Sequence, residues 1–208
     1  MSYPKLFDDP KITTLVQSKL PELFLLAELD NSRNGKLGME IGSARERILI
    51  ALLMLIYGKE HVDSDIPITE PETDVTVESE PISIKTMSGN KPGGVKLIWT
   101  VDPQKAAEFA DSYEPSCDML FVHLNWGGRG GLYMFSKELQ RDVFRKLGKE
   151  RYIKLPKPGT NPRGVEISKH AVEVLSASPE ARCINIDFRR TEHQYSAYDR
   201  WLELWAEN

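Results

Sequence analysis

The chain has 208 residues and a mass of 23.6 kDa, with 40% hydrophobic and 28% charged side chains, enough to bury one large core and unlike a fibrous or disordered composition. A net charge of −4 and a pI near 5.7 exclude a general nucleic-acid coat protein. The longest apolar run, residues 48–57, is too short to span a bilayer. The N-terminus lacks a signal-like apolar segment, and Cys117 and Cys183 stand far apart with no CxxC. These features lead to the expectation of a cytoplasmic protein with reduced thiols and no membrane partner.

In chain order, residues 11–29 carry helical periodicity, which Pro21 is expected to divide. Residues 30–36 read as a polar loop. A nearly all-apolar helix is expected over 44–57, with Ser43 as N-cap, Glu46 at the third helical position and Gly58 as its stop. After an acidic loop, 73–77 and 82–86 alternate polar and apolar residues, the pattern of a half-buried hairpin broken at Glu78 to Pro81. Residues 87–94 read as a loop and 95–100 as a third strand. A helix over 104–112, strands over 119–125 and 132–135 joined by a Gly-rich turn, and an amphipathic helix over 136–147 capped by Ser136 come next. A proline-rich loop at 156–163 precedes a helix (168–175), a strand (183–188) and a closing helix (196–206). No repeat or low-complexity linker interrupts the chain. The expectation is one α/β domain over 1–208, a mixed central sheet flanked by helices.

The hairpin carries the chemistry. Val75, Val77, Ile82 and Ile84 are expected to face the core, and Asp74, Thr76, Ser83 and Lys85 the opposite side, because strand side chains alternate. An aspartate and a lysine then meet on one polar face. An acid able to hold Mg²⁺ beside a lysine that organises a water is the minimum set for phosphodiester hydrolysis; a solvated hairpin face with a surface lysine is the plainer alternative. Glu46 has two readings that do not exclude each other, a capping box with Ser43 and a third member of this site.

A helix-borne Glu46, then Pro71-Glu72-Thr73-Asp74 opening a hairpin, then Ser83-Ile84-Lys85 on its second strand resembles the PD-(D/E)XK nuclease superfamily. Ser83 departs from the Asp or Glu usual at that place, which makes Glu46 the substitute carboxylate. Within the superfamily the arrangement is similar to the ThaI-type restriction endonucleases, with Asp74 28 residues after Glu46 and Lys85 11 after Asp74. That family carries a methionine before the helix that wedges between base pairs, and Met39 stands at the corresponding place. The match covers residues 39–101. It implies a restriction-endonuclease-like core and a type II restriction endonuclease: a Mg²⁺-dependent homodimer hydrolysing both strands of double-stranded DNA at a short GC-rich palindrome, CGCG, to blunt ends. It further implies that Glu46 and Asp74 bind metal, that Lys85 positions or helps deprotonate the attacking water, and that Ser83 acts at one remove or through water. Two other readings stay open, a repair or Mrr-like nuclease without palindrome specificity and a non-catalytic DNA-binding protein.

Charge is unevenly placed. Residues 59–80 carry a net −7 and residues 137–163 a net +6, a polarity suited to a metal site in one lobe and a phosphate grip in the other. For DNA contact, Arg45 and Arg47 flank Glu46 at a helix N-terminus, where phosphate contact and plain solvent exposure are both open. Ser88, Asn90 and Lys91 follow the hairpin, and Lys154, Lys157, Asn161 and Arg163 lie on or beside the proline-rich loop, either reading a groove or forming an ordinary basic surface. Met39 is core by default and a wedge candidate through the resemblance. Asp30 to Gly35 imitates the start of a calcium loop, but its twelfth position is Ile41. His123 and Asn125 are expected to be structural.

Overall fold

The computed structural model describes residues 3–33, 36–37, 40–67, 72–156, 164–192, 195–196 and 198–206. Its helices are α1 (Pro4–Phe7), α2 (Pro10–Asp30), α3 (Ile41–Tyr57), α4 (Pro103–Ser112), α5 (Lys137–Leu147), α6 (Lys149–Tyr152), α7 (Lys169–Ala177) and α8 (Asp199–Ala206), with a 3₁₀ turn at Lys59–His61. Its strands are β1 (Ser32–Arg33), β2 (Lys36–Leu37), β3 (Val62–Asp63), β4 (Val75–Val77), β5 (Glu80–Ser88), β6 (Val95–Ile98), β7 (Asp118–Leu124), β8 (Gly128–Phe135), β9 (Ile153–Lys154), β10 (Val165–Ile167) and β11 (Arg182–Phe188). Among the described residues, no helix is long and apolar enough to cross a membrane.

Six strands form the central mixed sheet in the order β11-β8-β7-β5-β4-β3. The β5–β7 pair is parallel, and the other neighbours run antiparallel. Strand β7 is buried along its whole length, as a strand covered on both faces must be. Leu120, Val122 and Leu124 join the core beneath α1, α2 and α3, while Met119 and Phe121 join a second core with α4, α5, α6 and α7. That second layer also holds a small antiparallel sheet, β6-β10-β9.

The hairpin has the expected sidedness: Val75, Val77 and Ile82 are fully buried and Ile84 is 4% exposed. Its turn is tighter than expected. Glu78 and Ser79 both take positive φ, 51° and 69°, the backbone of a two-residue hairpin turn whose twist matches its strands but which strains side chains larger than glycine. Strand β5 runs on to Ser88 because β7 pairs with it over that whole length.

Several expectations are corrected. Pro21 does not divide α2, which runs unbroken with Val16, Leu20, Pro21, Phe24 and Leu25 on its buried face; their burial outweighs the one backbone bond a proline removes. Helix α3 starts at Ile41, before the expected N-cap. Glu40 holds the cap position without a side-chain bond, and Ala44 N–H donates to its carbonyl at 3.0 Å. Ser43 therefore lies within the first turn, and the capping box with Glu46 does not form. Strand β8 begins at Gly128, so only Asn125, Trp126 and Gly127 join it to β7. A Cβ on Gly130 would stand 2.1 Å from the His123 carbonyl oxygen, so glycine here serves close strand packing. Strands β1, β2, β3, β9 and β10 and helices α1 and α6 are short elements in stretches without a readable period.

Candidate active site

Asp74 immediately precedes β4, and its carboxylate turns toward β5. One oxygen, Oδ2, accepts from Ile84 N–H at 2.6 Å, from Lys85 Nζ at 2.9 Å and from Ser83 Oγ at 3.3 Å. The aspartate and the lysine are therefore fixed relative to each other by backbone as well as by charge. Their side chains are 20% and 15% exposed, dry enough for the pair to matter and open enough for a substrate to reach it. Among the described residues all these bonds fall on Oδ2.

Glu46 stands in the second turn of α3 and is half-buried. It lines the same cleft as Asp74 and Lys85, a recess of about 960 Å³. Burial and then the charge of Asp74 push its carboxyl above the ordinary value, against the opposing pull of Lys85 and Arg47. Two carboxylates lining one open cleft make a natural seat for a cation. The donors are hard oxygens, and Mg²⁺ is commonly held by one or two carboxylates with water completing its shell. The set fits that ion. Among the described residues no group of three or more His, Cys, Asp or Glu is placed to hold a metal ion; Glu46, Asp74 and Lys85 share the cleft. Ser83 is fully buried, and its hydroxyl braces Asp74 from within.

Glu72 takes a different part. Its carboxylate accepts from Tyr113 Oη at 2.9 Å and from Ser116 N–H at 3.1 Å, and the Ser116 hydroxyl adds a further bond. It ties the entry of the hairpin to the segment before β7. Pro71 lies outside the described residues.

The DNA-contact candidates separate. Arg45 is only 5% exposed: its guanidinium donates to Glu28 Oε1 at 2.6 Å and to Ser88 Oγ at 3.0 Å. The expectation that it reaches a phosphate is corrected, because the α3 face that carries it turns into the protein. Arg47, Ser88, Asn90 and Lys91 are exposed. Lys154 is engaged with Glu166 at 3.0 Å, and Arg141, Arg145 and Lys149 pair with Glu114, Asp142 and Asp111. Much of the basic lobe is thus met by nearby acids. Met39, Lys157, Asn161 and Arg163 lie outside the described residues. His123 is buried and hydrogen bonds the Gly89 carbonyl at 2.8 Å, the structural use expected of it.

Sequence reasoning missed the opposite wall of the cleft, where Lys96, Trp99 and Lys105 stand. Trp99 is 70% exposed with Lys96 Nζ 5.2 Å from its ring centroid. The alternation of Lys96 with the buried Val95 and Leu97 was a signal for the lysine; nothing local marked the tryptophan. It also missed Glu28, 3% exposed inside a helix, which gathers Arg45, Arg190 (2.7 Å) and the Trp126 indole N–H (2.7 Å).

With this geometry in place, the comparisons with known proteins are specific. The sequence profile of the family described as "Restriction endonuclease ThaI" matches residues 6–207. A solved structure described as "Restriction endonuclease in complex with substrate DNA" is 50% identical, with a TM-score of 0.91 over 98% of this chain and 98% of that one. No curated protein matches the chain.

Proposed function

The chain belongs to the ThaI restriction endonuclease family, and from that premise we propose that it is a Mg²⁺-dependent homodimer cutting both strands of a CGCG palindrome to blunt ends, with Glu46, Asp74 and Lys85 as its reacting groups. Type II site-specific cleavage of DNA follows from the family. The assignment of the reacting groups rests on one observation above all, Lys85 Nζ held 2.9 Å from Asp74 Oδ2 in the cleft that Glu46 also lines; the palindrome, the blunt ends and the homodimer are what the family resemblance implies.

Mg²⁺ held there would supply Lewis acidity for phosphodiester hydrolysis. Asp74 and Glu46 would hold it, and Ile84 N–H and Ser83 Oγ keep Asp74 from turning away. Lys85, anchored by Asp74, orients the attacking water with its ammonium hydrogens and steadies the negative charge that grows on the phosphate. Lys96, Lys105 and Trp99 line the other wall, where cations meet backbone phosphates and an indole meets sugar or base. Arg47, Asn90, Lys91, Lys154, Lys157, Asn161 and Arg163 are proposed as further contacts, and Met39 as a wedge between base pairs. One such site cuts one strand, so a double-strand cut calls for two copies about a two-fold axis.

Digestion of plasmid DNA with and without Mg²⁺ tests the reading. Discrete bands mapping to CGCG, absent without metal, are expected. A smear would replace it with an unspecific nuclease, and a metal-independent cut would remove the role given to Glu46 and Asp74. Sedimentation on an uncleaved palindromic duplex in Ca²⁺ should give two chains per duplex; one chain would refute the homodimer.

A further inference from the structure

The residue beside Glu46 faces the other way. Arg45 is almost wholly buried at 5% exposure, yet it is a charged side chain at the start of the helix that carries a proposed reacting group. A buried cation is retained only where its partners are good. Its first partner is Glu28 of α2, at 2.6 Å and itself 3% exposed. Its second is Ser88 Oγ at 3.0 Å, at the far end of β5. The guanidinium also lies over the Phe24 ring, 5.6 Å from its centroid. One planar fork therefore spans three elements: the long α2 helix, the helix of Glu46, and the strand of Lys85.

That placement has a mechanical meaning. Glu46 and Lys85 come from different elements and share no direct bond; what fixes their separation is whatever fixes α3 against β5. Ser88 lies three residues beyond Lys85 on a strand whose pairing with β7 makes it stiff, so a tether at Ser88 sets the position of Lys85. Arg45 precedes Glu46 directly, so the same tether sets the helix turn that aims the carboxylate. Glu28, held also by Arg190 and Trp126 at 2.7 Å each, is the fixed post.

We propose that Arg45 is a positioning residue, setting the distance between Glu46 on α3 and Lys85 on β5 by joining Ser88 to the buried Glu28. The inference rests on the reading of Glu46 and Lys85 as the reacting pair. Groups that orient metal-holding carboxylates without touching substrate commonly affect activity by about 10- to 100-fold. Lysine in place of arginine keeps the charge beside Glu28 but offers no planar fork to reach Ser88 at the same time.

The test uses the full chain and a CGCG duplex, with single-turnover cleavage at saturating enzyme and Mg²⁺, duplex affinity in Ca²⁺, and Tm. Ser88 is exposed, so Ser88→Ala should fold like the wild type and bind the duplex within about twofold, yet cleave about 10-fold more slowly. Ser88→Thr, which keeps the hydroxyl, should restore the rate. Arg45→Lys should slow cleavage similarly, and the double variant Arg45→Lys/Ser88→Ala should be no slower than Arg45→Lys alone, since both changes break one link. Wild-type cleavage by Ser88→Ala alongside an inactive Lys85→Ala would overturn the positioning role and leave the active-site reading standing. Lost affinity with an unchanged rate would also overturn it, marking Ser88 as a DNA contact. Normal cleavage by Lys85→Ala would sink the active-site reading, and this inference with it.

Discussion

Replacing Asp74 tests a group with two duties, one to the fold and one to the chemistry. In Asp74→Ala the Ile84 N–H (2.6 Å from Oδ2), the Lys85 ammonium (2.9 Å) and the Ser83 hydroxyl (3.3 Å) lose their acceptor together. A buried donor left without an acceptor costs about 1–3 kcal/mol, and a charged one stands at the upper end. Ser83 is fully buried, but Lys85 at 15% side-chain exposure can turn partly to cleft water, so the loss should come to about 2–4 kcal/mol. For a chain of this length that is a fall in Tm of roughly 5–15 °C, leaving the protein folded at room temperature. Asp74→Asn keeps a carbonyl for Ile84 N–H and gives up only the charge, so it should cost about 1 kcal/mol. Both variants should lose cleavage, because each removes half of the carboxylate pair. Urea unfolding of the three proteins, followed by digestion at 25 °C, reads both duties. Equal stability of Asp74→Ala and the wild type would refute the bonding pattern, and cleavage by Asp74→Asn would refute a role in holding metal.

Burial, followed by the charge of Asp74, raises the Glu46 carboxyl above the ordinary 4.5, so the folded protein retains a proton that the unfolded chain has already released. Stability without metal then falls as pH climbs from the unfolded value through the folded one, and Glu46→Gln should be the more stable protein by a margin that grows across that window, to a few degrees in Tm at most; a gap that is constant or shrinks contradicts the shift. Ser79→Gly relieves a side chain held at φ 69° and should add about 1 kcal/mol in urea unfolding with cleavage unchanged; a loss of stability would show that the turn is not strained. Met39→Ala should weaken specific duplex binding more than unspecific binding and leave Tm within about 2 °C, since a wedge acts only on bound DNA. A large fall in Tm would mark Met39 as core instead.

The sequence carried the hairpin because period two is a local signal and both of its faces differ in polarity: Val75, Val77, Ile82 and Ile84 lie where alternation puts them. It carried α5 and α7 because Ser136 and Ser168 accept from the third residue of each helix, Leu139 and Ala171, at 3.1 Å. The family was legible in the spacing of Glu46, Asp74 and Lys85, and the comparisons bear that resemblance out. Other features depended on distant chain. Pro21 is tolerated because α2 packs on β11, which no window around residue 21 contains. Ser43 satisfied every local rule for a cap, yet the helix starts two residues before it. The buried state of Arg45 is set by Glu28, Phe24 and Ser88, residues up to 43 positions away, so charge alone suggested the surface. Lys96 and Trp99 reach the cleft only because β6 leaves the central sheet for a second one.

The order of strands has a consequence for when activity can arise during synthesis. Every proposed reacting group, from Glu46 to Lys85, is made early, but β5 is flanked on one side by β4 and on the other by β7, whose parallel pairing spans residues 82 to 124. Parallel neighbours cannot close through a tight turn; β6 and α4 must emerge first. Beyond β7 come β8 and then β11, the last strand of the sheet to appear. A ribosome halfway along the message therefore holds a full set of reacting side chains on an unfinished sheet, exposed on one edge of β5 and without the scaffold that spaces them. Until β7 has emerged, the strand that carries Lys85 lacks the parallel neighbour that stiffens it.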